Sequence, residues 1–285
     1  MKDLRTFLPV LFLVFGVLLC SYPWISNYLY EKSAGSKIQS YQKKVENLAE
    51  NRKAEWLSLA QKYNQELSGS RVKLTDPFSE IQASSGLSYQ KMLAMDSSGI
   101  MGTVEIPCIR LELPIYHGTS QEVLEKGAGH LFGTSLPVGG KSTHSVITGH
   151  TGLGKARLFT DLTELKKGDL FYISVLSKNL AYRVDQISVI KPEDTEKLQI
   201  VEGRDQVTLM TCTPYGINSH RLLVRGSRTS YQKAEKERIL GRNQNSQWMR
   251  AYQKAWIIGL LILTAFWAIR RIYQKMKRKR GRRHQ

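Results

Sequence analysis

The chain has 285 residues, enough for one large domain or two small ones, and it carries a formal net charge of +18. Its 3 cysteines are too few for a framework of several disulfide bonds. Such a charge invites a nucleic-acid partner, but about half of it lies in one C-terminal block, which is better explained as a positive-inside signal beside a membrane span. We therefore expect no nucleic-acid partner. The basic residues of this block are Arg270, Arg271, Lys275, Lys277, Arg278, Lys279, Arg280, Arg282 and Arg283.

Two apolar stretches bracket the chain and predict membrane spans, the first at roughly residues 7–25 and the second at roughly residues 251–269. With the basic tail inside the cell, both termini would be cytoplasmic and the middle of the chain extracellular. The first stretch could instead be a cleaved signal peptide, but no clear small-residue cleavage site follows it, and Pro23 and Trp24 are unfavourable for one. We expect a retained anchor and a two-pass protein of the cell membrane.

The region after the first stretch is predicted to be helical over residues 37–67, because its apolar residues recur at near-helical spacing. Ser68-Gly69-Ser70 ends that pattern. Residues 71–98 have no clean period and are expected to form a loop or short turns. The helical positions are Ile38, Tyr41, Val45, Leu48, Trp56, Leu59, Tyr63 and Leu67.

From Gly102 onward, short strand-like runs are separated by turn residues, and they do not alternate regularly with helices. This order of elements favours a mainly β fold, a largely antiparallel barrel or sandwich, over a doubly wound sheet. The predicted strands are Gly102–Ile106, Leu113–Tyr116, Ser145–Thr148, Leu170–Val175, Leu180–Val189, Gln206–Thr211 and Arg221–Arg225.

Three reactive side chains stand at the ends of these runs. Cys212 closes one strand, Arg221 opens the next after a Pro-Tyr-Gly turn, and His150 follows the strand that ends at Thr148. A thiol, an imidazole and a guanidinium are the parts of a cysteine acyl-transfer site. Arg225 is a rival for the role of the arginine, because it lies four residues further along on the same face of its strand.

The remaining candidates have structural explanations. His117, His130 and His144 are expected to be surface or structural residues, since no carboxylate or cysteine cluster joins them into a zinc site. A disulfide between Cys108 and Cys212 is the structural alternative to a nucleophilic thiol. We otherwise assign Cys108 no role.

The strand-end motifs resemble those of the sortases, membrane-tethered transpeptidases of Gram-positive bacteria. The resemblance covers about residues 75–226. Within the family the chain is similar to class C, the pilin-polymerising branch, in its cysteine region, its second span and its Asp76-Pro77-Phe78, which matches the class C lid motif. The motifs that carry the resemblance are Leu113-Pro114-Ile115-Tyr116-His117-Gly118, Val146-Ile147-Thr148-Gly149-His150, Thr208-Leu209-Met210-Thr211-Cys212-Thr213-Pro214-Tyr215-Gly216 and Ser219-His220-Arg221-Leu222-Leu223-Val224-Arg225-Gly226.

This resemblance implies a sortase-like closed β-barrel with short helices, an N-terminal helical segment, a lid and two flanking transmembrane helices. The expected boundaries are 1–30 for the N-terminal signal anchor, 31–70 for the helical segment, 71–100 for the lid region, 101–228 for the catalytic barrel, 229–250 for a linker, 251–269 for the second span and 270–285 for the basic cytoplasmic tail.

The resemblance also implies the chemistry. Cys212 would attack the Thr–Gly carbonyl of an LPXTG-like sorting signal on a pilin subunit, and a lysine amine of another pilin would resolve the thioester. His150 would either form an ion pair with the thiolate or protonate the leaving amine. Arg221 would stabilise the oxyanion, while Asp76 would pair with this arginine and Phe78 would cover the thiol. No metal or organic cofactor is implied.

Three alternatives stay open at this point. A housekeeping sortase would use the amine of a cell-wall precursor as acceptor, and a plain cysteine peptidase would use water. A membrane-anchored surface protein that only binds its partner would not need Cys212 at all.

Overall fold

The computed structural model describes residues 2–69, 72, 74–79, 87–234 and 247–281. It consists of two compact units, Met1–Gln244 and Asn245–Gln285. The first unit holds the N-terminal helices and the β-barrel, and the second is a single long helix.

Two consecutive helices precede the barrel, α1 at Lys2–Asn47 and α2 at Glu50–Ser68. Ala49, with φ −58° and ψ 140°, lies outside helical geometry and separates them. The predicted helical region is therefore present, in two pieces. The predicted boundary near residue 30 is not a break, because α1 runs through it without interruption.

One face of α1 packs on the barrel. Its buried residues Ala34, Ile38, Tyr41 and Val45 follow a spacing of three and four, as expected for a helix with one apolar face. The Tyr41 hydroxyl donates to the carbonyl oxygen of Met101 at 3.1 Å. These contacts fix the direction of the helix axis relative to the barrel.

Eight strands form one closed barrel in the order β1-β2-β3-β4-β7-β8-β6-β5. This confirms the predicted mainly β fold. The strands are β1 Ile100–Ile106, β2 Leu111–His117, β3 Ala128–His130, β4 Thr143–Thr148, β5 Leu170–Val175, β6 Lys178–Ile190, β7 Asp205–Thr213 and β8 His220–Thr229. The short helices are α3 Leu87–Lys91 and α4 Gln121–Lys126, with 3-10 turns at Pro107–Ile109, Thr160–Glu164 and Glu196–Leu198.

The pairing is mostly antiparallel, but β2–β3 and β4–β7 are parallel. The sequence prediction missed β3, since three residues are too few to show an alternation. It also treated the region of α3 as irregular. The parallel pair β4–β7 matters most for function, because it brings the C-terminal ends of two strands to the same edge of the barrel.

Each strand around this edge sends alternate side chains inward and outward. The main core cluster includes Ile147, Leu209 and Val224 on β4, β7 and β8. Their neighbours Val146, Met210 and Leu223 belong to a second, separate cluster on the outer face. By the same alternation, Cys212 and Arg221 lie on the outer face.

The C-terminal unit is α5, Gln247–Gly281. Within the described residues, one helical stretch is long and apolar enough to cross a membrane, Trp256–Tyr273 with a mean hydropathy of 1.5. It overlaps the second predicted span but lies a few residues later. The linker residues 235–246 and the tail residues 282–285 lie outside the described residues, as do many side chains of the first predicted span, which stays a prediction.

Candidate active site

Cys212 and Arg221 are direct cross-strand neighbours. They are paired in the antiparallel register of β7 and β8, on the outer face of the barrel. Cys212 is 8% exposed and Arg221 is 6% exposed. The turn between the strands is held by the amides of Ile217 and Asn218, which both donate to the Pro214 carbonyl. This turn folds β8 back beside β7.

His150 reaches the same edge through the parallel pairing of β4 and β7. Thr148 is in register with Met210, and the Gly149 amide donates to the Met210 carbonyl at 3.0 Å. The Thr211 hydroxyl in turn donates to the Gly149 carbonyl at 2.7 Å. Continued two residues past its last pair, this register brings His150 and Cys212 to the same ends of the neighbouring strands β4 and β7.

Gly149 is required by the packing behind this histidine. A Cβ at that position would lie 2.8 Å from two ring atoms of Phe159, which is fully buried. The Phe159 amide donates to the His150 carbonyl at 3.0 Å. The aromatic ring and the glycine therefore set the position of the His150 backbone together.

The Arg221 guanidinium is held from two sides. Its Nε and Nη2 donate to Oδ1 and Oδ2 of Asp76 at 2.8 and 2.7 Å, a bidentate ion pair. Its Nη1 donates to the carbonyl oxygens of Asn218 and His220 at 2.8 and 3.0 Å. The planar fork of arginine suits this arrangement, and lysine would satisfy only part of it.

Phe78 lies over both partners of Cys212. Its ring centroid is 5.0 Å from Cζ of Arg221 and 5.7 Å from the centroid of the His150 ring. Asp76 and Phe78 belong to one short turn, in which the Ser79 amide donates to the Asp76 carbonyl. We call residues 74–79 the lid segment.

Leu74 anchors the lid segment. It is 7% exposed and packs into the outer-face cluster with Val146, Met210 and Leu223. No sequence pattern singled out Leu74. The available signal was an aliphatic side chain two positions before Asp76, which is too common in loops to stand out.

The electrostatics of the site favour neutral groups in this arrangement. Burial raises the pKa of the Cys212 thiol to about 11; Asp76 raises it too, whereas Arg221 opposes the shift. Burial lowers the pKa of His150, and the charge of nearby Lys155 lowers it further against the opposing effect of Glu125. With the lid segment in place, burial therefore favours the uncharged forms of both side chains.

Arg225, the other candidate arginine, forms an ion pair outside the site. Arg225 is in register with Thr208, four residues from Cys212 along β7, and its Nε donates to Asp185 at 2.9 Å. Cys108 and Cys212 are both free, so the disulfide alternative is not present. Burial raises the pKa of Cys108 to about 12.

The three other histidines that we considered have backbone partners. His130 and His144 are buried and contact the carbonyl oxygens of Ser135 and Gln199. His117 contacts the carbonyl oxygens of Gly99 and Met92 with its two ring nitrogens. Burial lowers the pKa of both His130 and His144 to about 4. These contacts agree with the structural roles that we expected for them.

Comparison with known proteins identifies this kind of barrel. Residues 104–229 match the sortase domain family. The structure is similar to sortase C-1 of Actinomyces oris, with 50% identity, a TM-score of 0.59, and coverage of 62% of this chain and 99% of that one. It is also similar to a pilus-related sortase C of Group B Streptococcus, with 45% identity, a TM-score of 0.63, and coverage of 68% and 97%. Sortase A of Bacillus anthracis is 26% identical over 79% of this chain and 94% of its own length.

The chain therefore belongs to the sortase family of transpeptidases. Its resemblance to class C is also confirmed, since these solved relatives at 45% and 50% identity are sortase C structures.

Proposed function

We propose that the protein is a membrane-anchored cysteine transpeptidase that joins pilin subunits outside the cell. It would cleave an LPXTG-like sorting signal between Thr and Gly, form a thioester on Cys212, and transfer the pilin to a lysine amine of another pilin. The cross-strand pairing of Cys212 with Arg221, beside the strand that ends two residues before His150, carries this proposal.

The first step of the proposed reaction is release of the lid segment. Asp76 occupies two donors of Arg221, and Phe78 covers the side chains on both sides of the thiol. A peptide carbonyl that approaches Cys212 needs the space taken by Phe78 and the donors taken by Asp76. Opening would also expose the thiol and remove the Asp76 charge, and both changes lower the pKa of Cys212 toward its ordinary range.

The chemical steps then follow from the positions of the three side chains. Cys212 transfers its proton to His150 and attacks the Thr carbonyl, and the resulting oxyanion is stabilised by the Arg221 donors. His150 gives that proton to the departing Gly amine, which leaves a thioester. The acceptor amine attacks the thioester, its proton returns through His150 to the sulfur, and an amide bond replaces the thioester.

A groove beside the lid segment offers a place for the sorting signal. It has a volume of about 840 Å³ and runs between the lid side of the barrel and the segment that precedes β7, with Leu74, Leu198 and Ile200 among its lining residues. Leu74 lies both in the groove and in the outer-face cluster around Met210, two residues before Cys212. Leu74 therefore connects the groove with the outer face of the barrel that carries Cys212.

The assignment to pilins rests on class C relatives, among them the pilus-related sortase C of Group B Streptococcus. The membrane anchoring rests on two apolar helices, Trp256–Tyr273 of α5 and the predicted first span within α1. We propose that both cross the membrane, with the barrel outside and both termini in the cytoplasm.

The test is incubation of the full chain in detergent with a candidate pilin that carries a sorting signal, followed by mass spectrometry. We expect a thioester adduct on Cys212 and, on longer incubation, a lysine-linked pilin dimer. Cys212→Ala should form neither product. A protein that only binds pilins would retain pilin binding and show no adduct in the unmodified chain, which would overturn the proposal.

The same experiment separates the acceptors. An added soluble amine or a second pilin should increase the yield of joined product at the expense of hydrolysis. If only hydrolysed pilin accumulates under all these conditions, the protein is a peptidase. If only a cell-wall precursor amine is accepted, it is a housekeeping sortase.

A further inference from the structure

One side of α1 remains uncovered as the helix approaches the barrel. No charged residue occurs from Thr6 to Tyr30, a stretch longer than the roughly 20 residues that a membrane span needs. Most of its described large side chains are exposed, including Tyr22 at 60%, Trp24 at 54% and Tyr28 at 63%. Tyrosine and tryptophan concentrate where a span meets the water interface. If α1 crosses the membrane, these aromatic residues would mark the outer membrane surface near residues 22–28.

The same turns of α1 contact the barrel. The Ser26 hydroxyl donates to the Lys155 carbonyl at 2.9 Å, and the Asn27 side-chain oxygen accepts from the Arg157 amide at 2.9 Å. The Tyr30 hydroxyl donates to the Lys126 carbonyl at 3.0 Å. Asn27 is only 3% exposed. The loop around Lys155 and Arg157 would therefore lie at the level of that surface.

This loop leads directly from the catalytic edge. It begins just after His150, and Phe159, whose amide donates to the His150 carbonyl, lies two residues beyond Arg157. Two residues span at most about 7 Å of extended chain. The backbone of His150 is therefore close to the point at which α1 would leave the bilayer.

Two exposed apolar side chains stand on the neighbouring loop. Tyr215 is 65% exposed and Ile217 is 72% exposed, within the turn that joins β7 to β8 just after Cys212. The Tyr215 ring lies beside Gly152, 3.3 Å from the position that a Cβ would take there. The two loops thus form one surface, which we call the rim and define as residues 151–157 and 214–218.

The rim presents apolar groups more than net charge. Lys155 pairs with Glu125 at 2.7 Å, which neutralises its charge locally. An exposed tyrosine and an exposed isoleucine are unfavourable in water, but they suit the headgroup region of a bilayer, where tyrosine keeps its hydroxyl hydrated. Attraction of the rim to a bilayer would therefore come from Tyr215 and Ile217.

We propose that the rim rests on the outer surface of the bilayer that holds α1, with Tyr215 and Ile217 inserted at headgroup level. This inference depends on the membrane anchoring of α1 within the proposed function, and not on the chemistry at Cys212. It places the catalytic edge at the membrane surface, so the peptide that is cleaved would be one that lies close to that surface.

The test uses the full chain in vesicles of equal parts phosphatidylcholine and phosphatidylglycerol. In a background with Cys20→Ala, Cys108→Ala and Cys212→Ala, a nitroxide is attached to a single new thiol, from Ile217→Cys, Val201→Cys or Leu18→Cys. Val201 is a matched control because it is 46% exposed and precedes β7, at the opposite end of the strand from Cys212. Frequent collision of the nitroxide with oxygen indicates that the label lies in lipid, and frequent collision with a water-soluble nickel chelate indicates that it lies in water.

We expect the label at 217 to show a ratio of oxygen to nickel accessibility several-fold above that at 201, and the label at 18 to show the highest ratio. Equal ratios at 217 and 201, with 18 in lipid, would overturn the inference while leaving α1 as an anchor. A label at 18 that lies in water would overturn both the inference and the membrane anchoring of α1. A label at 217 that is shielded only after a pilin is added would show a protein-docking surface, and it would also overturn the inference.

Discussion

Asp76 and Arg221 are joined by two parallel hydrogen bonds, although they lie 145 residues apart in the chain. Both side chains are largely buried, with 12% and 8% exposure. Removing one member of such a pair leaves the other charge uncompensated, which is more costly than losing an exposed pair. The lid segment is therefore held by an interaction that also withholds the guanidinium from a substrate.

The first prediction concerns the reactivity of the thiol. The double variant Asp76→Ala with Phe78→Ala should raise the alkylation rate of Cys212 by iodoacetamide at pH 7. Burial and the Asp76 charge both raise the pKa of this thiol to about 11, so their removal lowers the pKa and increases the thiolate fraction. Each unit of pKa corresponds to about tenfold in thiolate at a pH well below the pKa.

Mass spectrometry of the Cys212 peptide over a range of pH gives this rate separately from Cys108. The pH midpoint of alkylation should move to lower values in the double variant. Asp185→Ala is the control, since it breaks the Asp185–Arg225 pair without touching the site. Equal labelling rates in the double variant and the unmodified chain would contradict a covering role for the lid segment.

The second prediction separates the two arginines. Arg221→Ala should lower the rate of thioester formation by about 10²–10³, the usual cost of losing one oxyanion donor. Arg225→Ala should change that rate far less, because its guanidinium is paired with Asp185 and registered with Thr208. Single-turnover kinetics with a sorting-signal peptide measure both effects. Comparable losses in the two variants would show that the cross-strand position of Arg221 does not determine its role.

The third prediction concerns the packing behind His150. Gly149→Ala should destabilise the fold by about 1–3 kcal/mol, the usual cost of overpacking a core, because the new methyl group would meet the buried Phe159 ring. It should also slow the reaction by displacing the His150 backbone. Gly154→Ala, in the same loop, is the control, since nothing lies within 4 Å of its Cβ position. Urea unfolding compares the two, and equal stability would refute the steric argument.

The fourth prediction is a loss of stability in acid. Burial lowers the pKa of His144 in the folded chain to about 4, from an ordinary value of 6.5. The unfolded chain therefore takes up a proton first, so this stabilisation is complete above about pH 6.5 and is lost as the pH falls toward 4. One such histidine makes the fold about 2 kcal/mol less stable at pH 5 than at pH 7.

Urea unfolding at the two pH values measures this difference. His130, whose pKa is lowered in the same way, adds to it. His144→Gln should show a smaller pH dependence than the unmodified chain, whatever its stability at pH 7. An unchanged pH dependence would mean that His144 does not carry the effect.

Local sequence patterns were sufficient for most of the barrel. The runs that became β5 and β7 were recognisable because their β-branched and aromatic residues lie between turn residues. They were not sufficient for β3, whose three residues form a strand only because β2 and β4 flank it. The parallel pairing of β4 with β7 was also not predicted, since it joins segments that are distant in the chain.

The sequence by itself determined the types of reactive side chain and their places at strand ends, because turn residues and strand-forming residues act over a few positions. Only the tertiary structure decided which of these side chains meet. The register of the β7–β8 hairpin put Arg221 opposite Cys212 and left Arg225 opposite Thr208, and the long-range pairing of β4 with β7 brought His150 to the same edge. It also decided that the thiol is buried and its pKa is raised, since burial and the charge of Asp76 depend on a segment brought over the site from far away along the chain.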